Sequence, residues 1–293
     1  MGQGSKTFLL GLGCQKGGST WLFNYLSRLP DCNFGLAKEY HTFDARHLDE
    51  FRWFHTRNLH RLSRLLEKKR HSGFWPSRAL DRRIEGLSRK IIFCNDPTFY
   101  ADYFDALWEN DPAAHLVGDI TPGYAALGPE HFREIKQLLE AKGFDIKVVF
   151  LMRDPVERCY SATRSPFEKK IRRGAAVDVL ALLEENYASP GFECRTRYEA
   201  TIEALESVFR PEQLFFGLYE SFFCMEEIGR LNWFLGIGGN PRPDLNRRVN
   251  ASQRDVDVPT DLAARIFAHY RPTYDFCAAR FGTARLRAAW RHY

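Results

Sequence analysis

The sequence predicts an α/β fold in which helices flank a central parallel sheet. Three observations predict it: apolar runs of strand length recur along the chain, stretches with helical apolar spacing separate them, and a glycine-rich turn follows the first run. Strands joined by a helix-length crossover normally pair in parallel, with helices on both faces of the sheet. No internal repeat and no Pro/Ser/Gly-rich linker divides the chain, so we expect one domain over residues 1–293.

Each element follows from its own stretch of sequence. The first unit is a strand at 7–12, a turn at 13–18, a helix at 20–29 and a second strand at 33–37. Later apolar runs predict buried strands at 115–118, 146–152 and 214–218. Helical apolar spacing predicts further helices at 129–142, 156–163, 177–187, 195–209, 222–235 and 260–281.

A basic segment interrupts this alternation. Twelve Lys or Arg stand against three acids between residues 51 and 90, although the whole chain carries a net charge of only +5. The segment also has leucines at helical spacing, namely Leu59, Leu62, Leu65 and Leu66. We therefore expect a mostly helical insertion at about 45–110, with a solvated basic face, that shapes the pocket for the protein's substrate.

Composition excludes several classes of protein. The chain is 44% hydrophobic and 27% charged, which is ordinary for a globular protein and excludes fibrous and disordered classes. We find no apolar run of the 18 to 20 residues that a membrane span needs, and no signal peptide. Seven scattered cysteines form no metal-like cluster, so we expect free thiols, a cytoplasmic location and no metal site.

The turn after the first strand has the composition of an anion site. Exposed amides of Gly17, Gly18, Ser19 and Thr20 at the start of a helix, beside the charge of Lys16, would bind a phosphate. The loop is P-loop-like but not a Walker A motif, because its lysine precedes both glycines. This order disfavours a nucleotide triphosphatase, and a simple tight turn between strand and helix remains the alternative.

A second segment, "KVVFLMRDPVERCYSATR", has a related pattern. A buried strand ends at Arg153, Asp154 and Pro155 suit the start of a helix, and Ser161 lies two turns along it. Arg153 and Ser161 could converge on one phosphate at the carboxyl edge of the sheet. The alternative is a capped helix with a surface arginine.

The two segments together resemble the sulfotransferases that use 3′-phosphoadenosine 5′-phosphosulfate (PAPS). "GCQKGGSTWL" is similar to that family's 5′-phosphosulfate loop and "RDPVERCYSA" to its 3′-phosphate motif, in the same order. "KEYHTFD", "GDITPGYAA" and "LFFGLYESFF" resemble further landmarks, so the likeness covers most of the chain. It is strongest to the carbohydrate-type enzymes, including those acting on heparan sulfate.

The resemblance implies roles for individual residues. Lys16 would contact the transferring sulfonate, and Arg153 and Ser161 would hold the 3′-phosphate. The loop residues implied to bind the cofactor are Lys16, Gly17, Gly18, Ser19, Thr20 and Trp21. A late stretch that closes over the cofactor in the family is missing, and "LNRRVNASQ" offers Arg247 and Arg248 in its place.

The catalytic base is assigned to Glu39, with His41 as its rival. Glu39 matches the family's base, and a carboxylate at a strand end beside the loop can take the proton of an attacking hydroxyl. His41 lies two positions further, and some relatives use histidine. We interpret Lys38 as a solvated or supporting charge.

Departures from the family leave the acceptor unidentified. Thr20 stands where heparan-type relatives have a substrate-binding Arg, and Ile120 where they have a Lys. The predicted activity is sulfonate transfer from PAPS to a hydroxyl or amine, possible acceptors being a carbohydrate or a lipid. The alternatives are a P-loop-like small-molecule kinase using ATP, and a binding protein for nucleic acid or an anionic membrane surface. We expect no nucleic-acid partner, and the sequence leaves the oligomeric state open.

Overall fold

A five-stranded sheet lies at the centre of the computed structural model, which describes residues 6–71, 77–238 and 257–293. Its strands are β1 (Thr7–Gly13), β2 (Cys32–Asn33), β3 (Leu116–Ile120), β4 (Asp145–Met152) and β5 (Leu214–Leu218). All neighbouring pairs are parallel, and the order across the sheet is β2-β3-β1-β4-β5. The predicted α/β class with a central parallel sheet is confirmed.

Helices connect and cover these strands. The helices up to β4 are α1 (Ser19–Leu26), α2 (Phe43–His47), α3 (Trp53–His71), α4 (Arg78–Asn95), α5 (Thr98–Glu109) and α6 (Pro129–Glu140). Those between β4 and β5 are α7 (Pro155–Arg164), α8 (Glu168–Ile171), α9 (Val179–Asn186), α10 (Pro190–Glu193) and α11 (Tyr198–Glu206). Those after β5 are α12 (Tyr219–Phe222), α13 (Met225–Leu235), α14 (Thr260–His269), α15 (Arg271–Phe281) and α16 (Thr283–Ala289). Short 3-10 helices lie at Asp49–Phe51, Pro122–Ala126, Ser165–Phe167 and Pro211–Gln213.

Local turn chemistry explains two differences between the predicted and observed elements. The second strand covers only β2 because Asn33 Oδ1 accepts a hydrogen bond from the amide of Gly35, whose φ of 64° turns the chain. The last predicted helix is divided into α14 and α15 because Pro272 lacks the amide that a continuous helix needs. Both deviations come from local turn chemistry that apolar spacing does not report.

Alternating side chains of the strands form a core on each face of the sheet. Phe8 and Leu10 of β1 pack into one fully buried cluster, whereas Leu9 between them packs into the other. In β4, Val148 and Val149 are divided between the same two clusters. Burial on both faces is what helices covering both sides of a parallel sheet require.

The basic insertion is helical, as predicted, and comprises α2 to α5. Helices α3 and α4 pack on each other through the buried Leu65, Leu80 and Leu87, a small cluster separate from the two cores of the sheet. Within the described parts of the chain, no helix is both long and apolar enough to cross a bilayer. All seven cysteines are free, and five of them are buried.

The topology fixes where a ligand can enter. The connection after β1 leads through α1 to one side of the sheet, and the connection after β4 leads to β5 on the other side. In open parallel sheets, ligands bind outside the carboxyl ends of the strands at such a reversal. The two predicted phosphate segments follow these two adjacent strands.

Candidate active site

A cleft of about 230 Å³ lies at the carboxyl ends of β1 and β4. The residues proposed from the sequence that line it are Lys16, Gly18, Ser19, Thr20, Trp21, Glu39, His41, Arg153 and Ser161. Gly17 is packed behind the loop, where a Cβ would lie 2.6 Å from Cys14 Sγ. Arg247 and Arg248 lie outside the described residues. The fold therefore brings three distant segments of the sequence to one cleft.

The loop between β1 and α1 leaves several backbone amides without protein partners. Gly18 has φ 97° immediately before α1, a conformation that favours glycine. Within the described chain, no protein atom accepts a hydrogen bond from the amides of Gly18, Ser19 or Thr20. Free amides at the N-terminus of a helix, aligned with its dipole, form a binding site for an anion.

Lys16 is held in a strained conformation at the centre of this loop. Its φ of 76° is in the left-handed region, which costs a side-chain-bearing residue about 1 to 2 kcal/mol. Its Nζ lies 3.1 Å from the Oγ of Ser165, just beyond α7. Burial lowers the pKa of Lys16, and the nearby charges of Arg153 and Lys38 act in the same direction. Such a desolvated group of cations favours a bound anion.

Arg153 extends from the end of β4 over the loop. Its Nη1 donates a 3.3 Å hydrogen bond to the backbone oxygen of Lys16, and its guanidinium lies 4.7 Å from the centre of the Tyr219 ring. Its buried Nε has no hydrogen-bond acceptor, and the Glu220 carboxylate is 4.0 Å from it. Its Nη2 lies 3.5 Å from Glu157 Oε2, and the side chain lines the cleft.

Helix α7 begins as the sequence predicts. The side chain of Asp154 accepts hydrogen bonds from the amides of Val156 and Glu157 at 2.9 and 3.3 Å, and Pro155 is in the first turn. The fixed start of the helix positions Ser161, which lines the same cleft as Arg153.

Lys38 connects the loop to Glu39. Its Nζ lies 2.6 Å from Glu39 Oε1, 3.0 Å from Thr20 Oγ1 and 3.3 Å from Ser19 Oγ. Burial alone would raise the pKa of Glu39, but the hydrogen bond from His41 and the charge of Lys38 outweigh it and hold that pKa at about 2. The sequence left Lys38 as a solvated or supporting charge, because nothing in its local pattern shows which side chains contact its amine.

His41 lies between two carboxylates. Its Nδ1 is 2.7 Å from Asp44 Oδ2 and its Nε2 is 3.3 Å from Glu39 Oε2. Burial alone would lower the pKa of His41, but Asp44 and then Glu39 outweigh it and raise the pKa to about 9. The ring is therefore protonated at neutral pH, and both of its nitrogens donate hydrogen bonds.

The insertion also reaches the site, which sequence reasoning did not resolve to single residues. Phe54 of α3 stacks on the His41 ring with 3.6 Å between ring centres. Lys90 of α4 donates a hydrogen bond to the backbone oxygen of Glu39. The segment carrying Glu39 is thus supported from the sheet on one side and from the insertion on the other.

Comparison with known families identifies the kind of protein. Residues 9–212, well over half of the chain, match the family described as the sulfotransferase family. The chain belongs to the sulfotransferase family. A comparison with curated proteins finds no match.

Solved structures of other sulfotransferases resemble this one. A sulfotransferase from Alicyclobacillus acidocaldarius has a TM-score of 0.57 and 19% identity, with 94% of each chain covered. At that identity the likeness shows the shared fold. The sulfotransferase domain of the Synechococcus PCC 7002 olefin synthase has a TM-score of 0.42 and 15% identity, covering 92% of this chain and 96% of that one.

Family and fold together support an enzyme that transfers sulfonate groups. They favour this activity over the two alternatives left open by the sequence, an ATP-dependent kinase and a binding protein for nucleic acid or membranes. The carbohydrate-type subgroup suggested by the sequence motifs is a finer assignment than the family match gives.

Proposed function

We propose that this sulfotransferase takes its sulfonate group from PAPS and transfers it to a hydroxyl or amine of its acceptor. The observation that carries the proposal is the meeting of two anion-binding segments in one cleft, the β1–α1 loop and the β4–α7 segment. A donor with phosphates at both its 5′ and 3′ positions needs two such sites.

The residues present fit such a donor. The free amides of the loop and the charges of Lys16 and Lys38 suit a 5′-phosphosulfate. Arg153 and Ser161, which line the same cleft, suit a separate 3′-phosphate. When bound, PAPS supplies an activated sulfonate group.

In this proposal, the chain's own residues stabilise charge and position the acceptor. Lys16 and the loop amides face the negative charge that develops as the sulfonate is transferred, and their fixed geometry requires little reorganisation. We include Trp21 in the cofactor site because it lines the cleft, although it is 95% buried and stacks on Tyr25 with 5.2 Å between rings. Trp21 contributes mainly by supporting the loop through this packing.

Glu39 is proposed as the base that takes the acceptor's proton. It is ionised at neutral pH, whereas His41 already carries its proton and has no free lone pair. A carboxylate with a pKa near 2 is a weak base, but Lys38 also contacts the loop hydroxyls. An anion at the loop would draw Lys38 away from Glu39, raise the pKa of that carboxylate and strengthen the base only when the donor is bound.

The sulfotransferase family does not by itself define the chemical class of the acceptor. The motifs around Glu39 and Asp119 resemble carbohydrate-type sulfotransferases, which supports a carbohydrate among the candidates, and a lipid hydroxyl remains a second one.

Nucleotide binding tests the proposal directly. We expect the product 3′-phosphoadenosine 5′-phosphate (PAP) to bind at least about tenfold more tightly than AMP, because a charge-assisted contact contributes about 1.5 to 3 kcal/mol. Isothermal titration calorimetry measures both affinities. Arg153→Ala should weaken PAP binding by about 10- to 100-fold while changing AMP binding little.

Arg133→Ala on the exposed surface of α6 is the matched control, since it removes the same charge from a residue that does not line the cleft. Its two affinities should equal those of the wild type. Equal affinity of the wild type for PAP and AMP would contradict the assignment of PAPS as donor.

A further inference from the structure

We propose that the acceptor is anionic and that its negative group binds in a basic cavity between α3 and α4, beside Glu39. This inference rests on the proposed sulfonate transfer and adds the class of acceptor. It is carried by five cationic side chains of the insertion, by the empty space between them and by their connection to Glu39.

The cavity has a volume of about 600 Å³ and is separate from the cleft of the loop. Its cationic lining residues are Arg57 and Arg61 of α3 and Arg82, Arg83 and Lys90 of α4. The two arginines of α3 are four residues apart, and Arg83 and Lys90 of α4 are seven apart, which is about two turns, so each helix has a basic face on the cavity.

The four arginines among these cations form no ion pair with a described residue of the protein. Among the residues that the structure describes, no carboxylate lies within 4 Å of Arg57, Arg61, Arg82 or Arg83. Burial lowers the pKa of Lys90, and Arg61 and Arg57 add to the effect, although Asp119 and Glu39 oppose it. Like charges held around one cavity repel each other, and a bound anion would relieve that repulsion.

The cavity leads to the proposed base. His41 lines both the cavity and the cleft, and Lys90 donates a hydrogen bond to the backbone oxygen of Glu39. Arg57 is held near this junction by stacking, with its guanidinium 4.7 Å from the centre of the Phe54 ring. An acceptor whose anionic group occupies the cavity would therefore place a neighbouring hydroxyl at Glu39.

The part of the cavity beside Gly86 could hold a larger side chain than the sequence provides. It lies inside the 18-residue helix α4 and lines the cavity, and a Cβ built on it would meet no atom within 4 Å. Glycine inside a helix costs about 0.5 to 1 kcal/mol relative to alanine. Alanine would fit here and would favour the helix. We therefore interpret the glycine as keeping this side of the cavity open for a ligand.

Charge removal is the first test. The probe is inorganic pyrophosphate titrated calorimetrically into PAP-saturated protein at low salt. We expect the double variant Arg57→Ala/Arg61→Ala to bind it at least about tenfold more weakly than the wild type, with PAP affinity unchanged. Arg64→Ala/Lys68→Ala is the matched control, because both residues are exposed on the same helix outside the cavity.

Filling the cavity is the second test, and it leaves the charge unchanged. Gly86→Ala should raise the melting temperature slightly and keep pyrophosphate binding, whereas Gly86→Leu should also fold and lose that binding. If Gly86→Leu binds like the wild type, or if the arginine variant and its control behave alike, the inference is wrong.

Three phenols then show which anion is preferred, in the same titration: 4-hydroxybenzoate, 4-hydroxyphenyl phosphate and the uncharged 4-hydroxybenzamide. We expect both anions to bind more tightly than the amide, and the difference to disappear in Arg57→Ala/Arg61→Ala. Equal binding of all three would contradict an anionic acceptor. Failure of the proposed function has a different signature, namely no preference for PAP over AMP.

Discussion

The two sides of the Glu39 segment are built in different ways. On the sheet side, Arg153 directly follows β4, and Lys16 lies three residues after β1 and is held at a positive φ. On the insertion side, Arg57 and Arg61 are exposed on a helix that packs on its neighbour through only a few buried leucines. One side fixes its charges in a rigid frame, and the other presents them at an open cavity.

This difference fits the two tasks proposed for the site. Transfer chemistry requires charges that are already in position, since reorganising them during the reaction would cost free energy. Recognition of an acceptor tolerates longer and more mobile side chains, whose contacts are weaker and depend on salt. Glu39 and His41 lie at the boundary, where the two sides meet.

The largest expected effect is at that boundary. Glu39→Gln keeps the shape of the side chain but removes its basicity, so we expect kcat to fall by about 10²- to 10⁴-fold. Steady-state kinetics with PAPS and any accepted substrate measure it, and PAP affinity by calorimetry should stay close to that of the wild type.

His41→Asn is its control, because asparagine tolerates the φ of 54° at this position and can still donate a hydrogen bond. It should lower kcat much less than Glu39→Gln does. If His41→Asn proves the more damaging, His41 takes over the role of base and the pKa argument against it fails.

Most of the sheet side could be predicted from the sequence. The strand, glycine turn and helix around Lys16 are consecutive in the chain, so their chemistry is set by neighbours a few residues apart. Likewise, Asp154 and Pro155 mark the start of α7 locally. The resemblance of two such segments to one family then predicted that they share a ligand.

The insertion side could not be predicted in the same detail. Its helical, basic character followed from leucine spacing and charge, but the contact of Lys90 with Glu39 joins residues 51 positions apart. The contacts of Lys38 could not be predicted for the same reason, since its partners Ser19 and Thr20 precede it by 19 and 18 residues. Such contacts depend on how helices dock, which no periodicity encodes.

The second largest effect is expected for Lys16 variants, which test the rigidity of the sheet side. Lys16→Ala should lower kcat by about 10²- to 10³-fold, the usual loss when one fixed charge-stabilising donor is removed. Lys16→Gly removes the same amine and also relieves the left-handed strain of the backbone. The greater conformational freedom of the unfolded chain offsets this gain in stability.

Both Lys16 variants should therefore melt within a few degrees of the wild type while sharing the catalytic loss. Differential scanning calorimetry and turnover assays separate the two properties. Retained turnover with a lowered melting temperature would make Lys16 a scaffold residue, and the contrast between the two sides would lose its catalytic meaning.

The smallest effect concerns how His41 joins the two sides, and it appears in the pH dependence of stability. The pKa of His41 is raised to about 9 by Asp44 and Glu39, above its ordinary value of 6.5. Its stabilising contribution is therefore complete below pH 6.5 and is lost as the pH rises through 9, by about 2 to 3 kcal/mol in total. Burial also raises the pKa of Glu220 to about 8, so the wild-type curve alone mixes two groups.

Urea unfolding of the wild type and His41→Asn from pH 6 to 9.5 isolates the histidine, because Glu220 titrates in both proteins. We expect His41→Asn to be less stable at pH 6, where it leaves the buried Asp44 without its cation, and the gap to narrow by about 2 to 3 kcal/mol toward pH 9.5. Parallel curves would mean that His41 is neutral in the folded protein. In that case its Nε2 could accept a proton, and the assignment of the base to Glu39 would lose its main physical support.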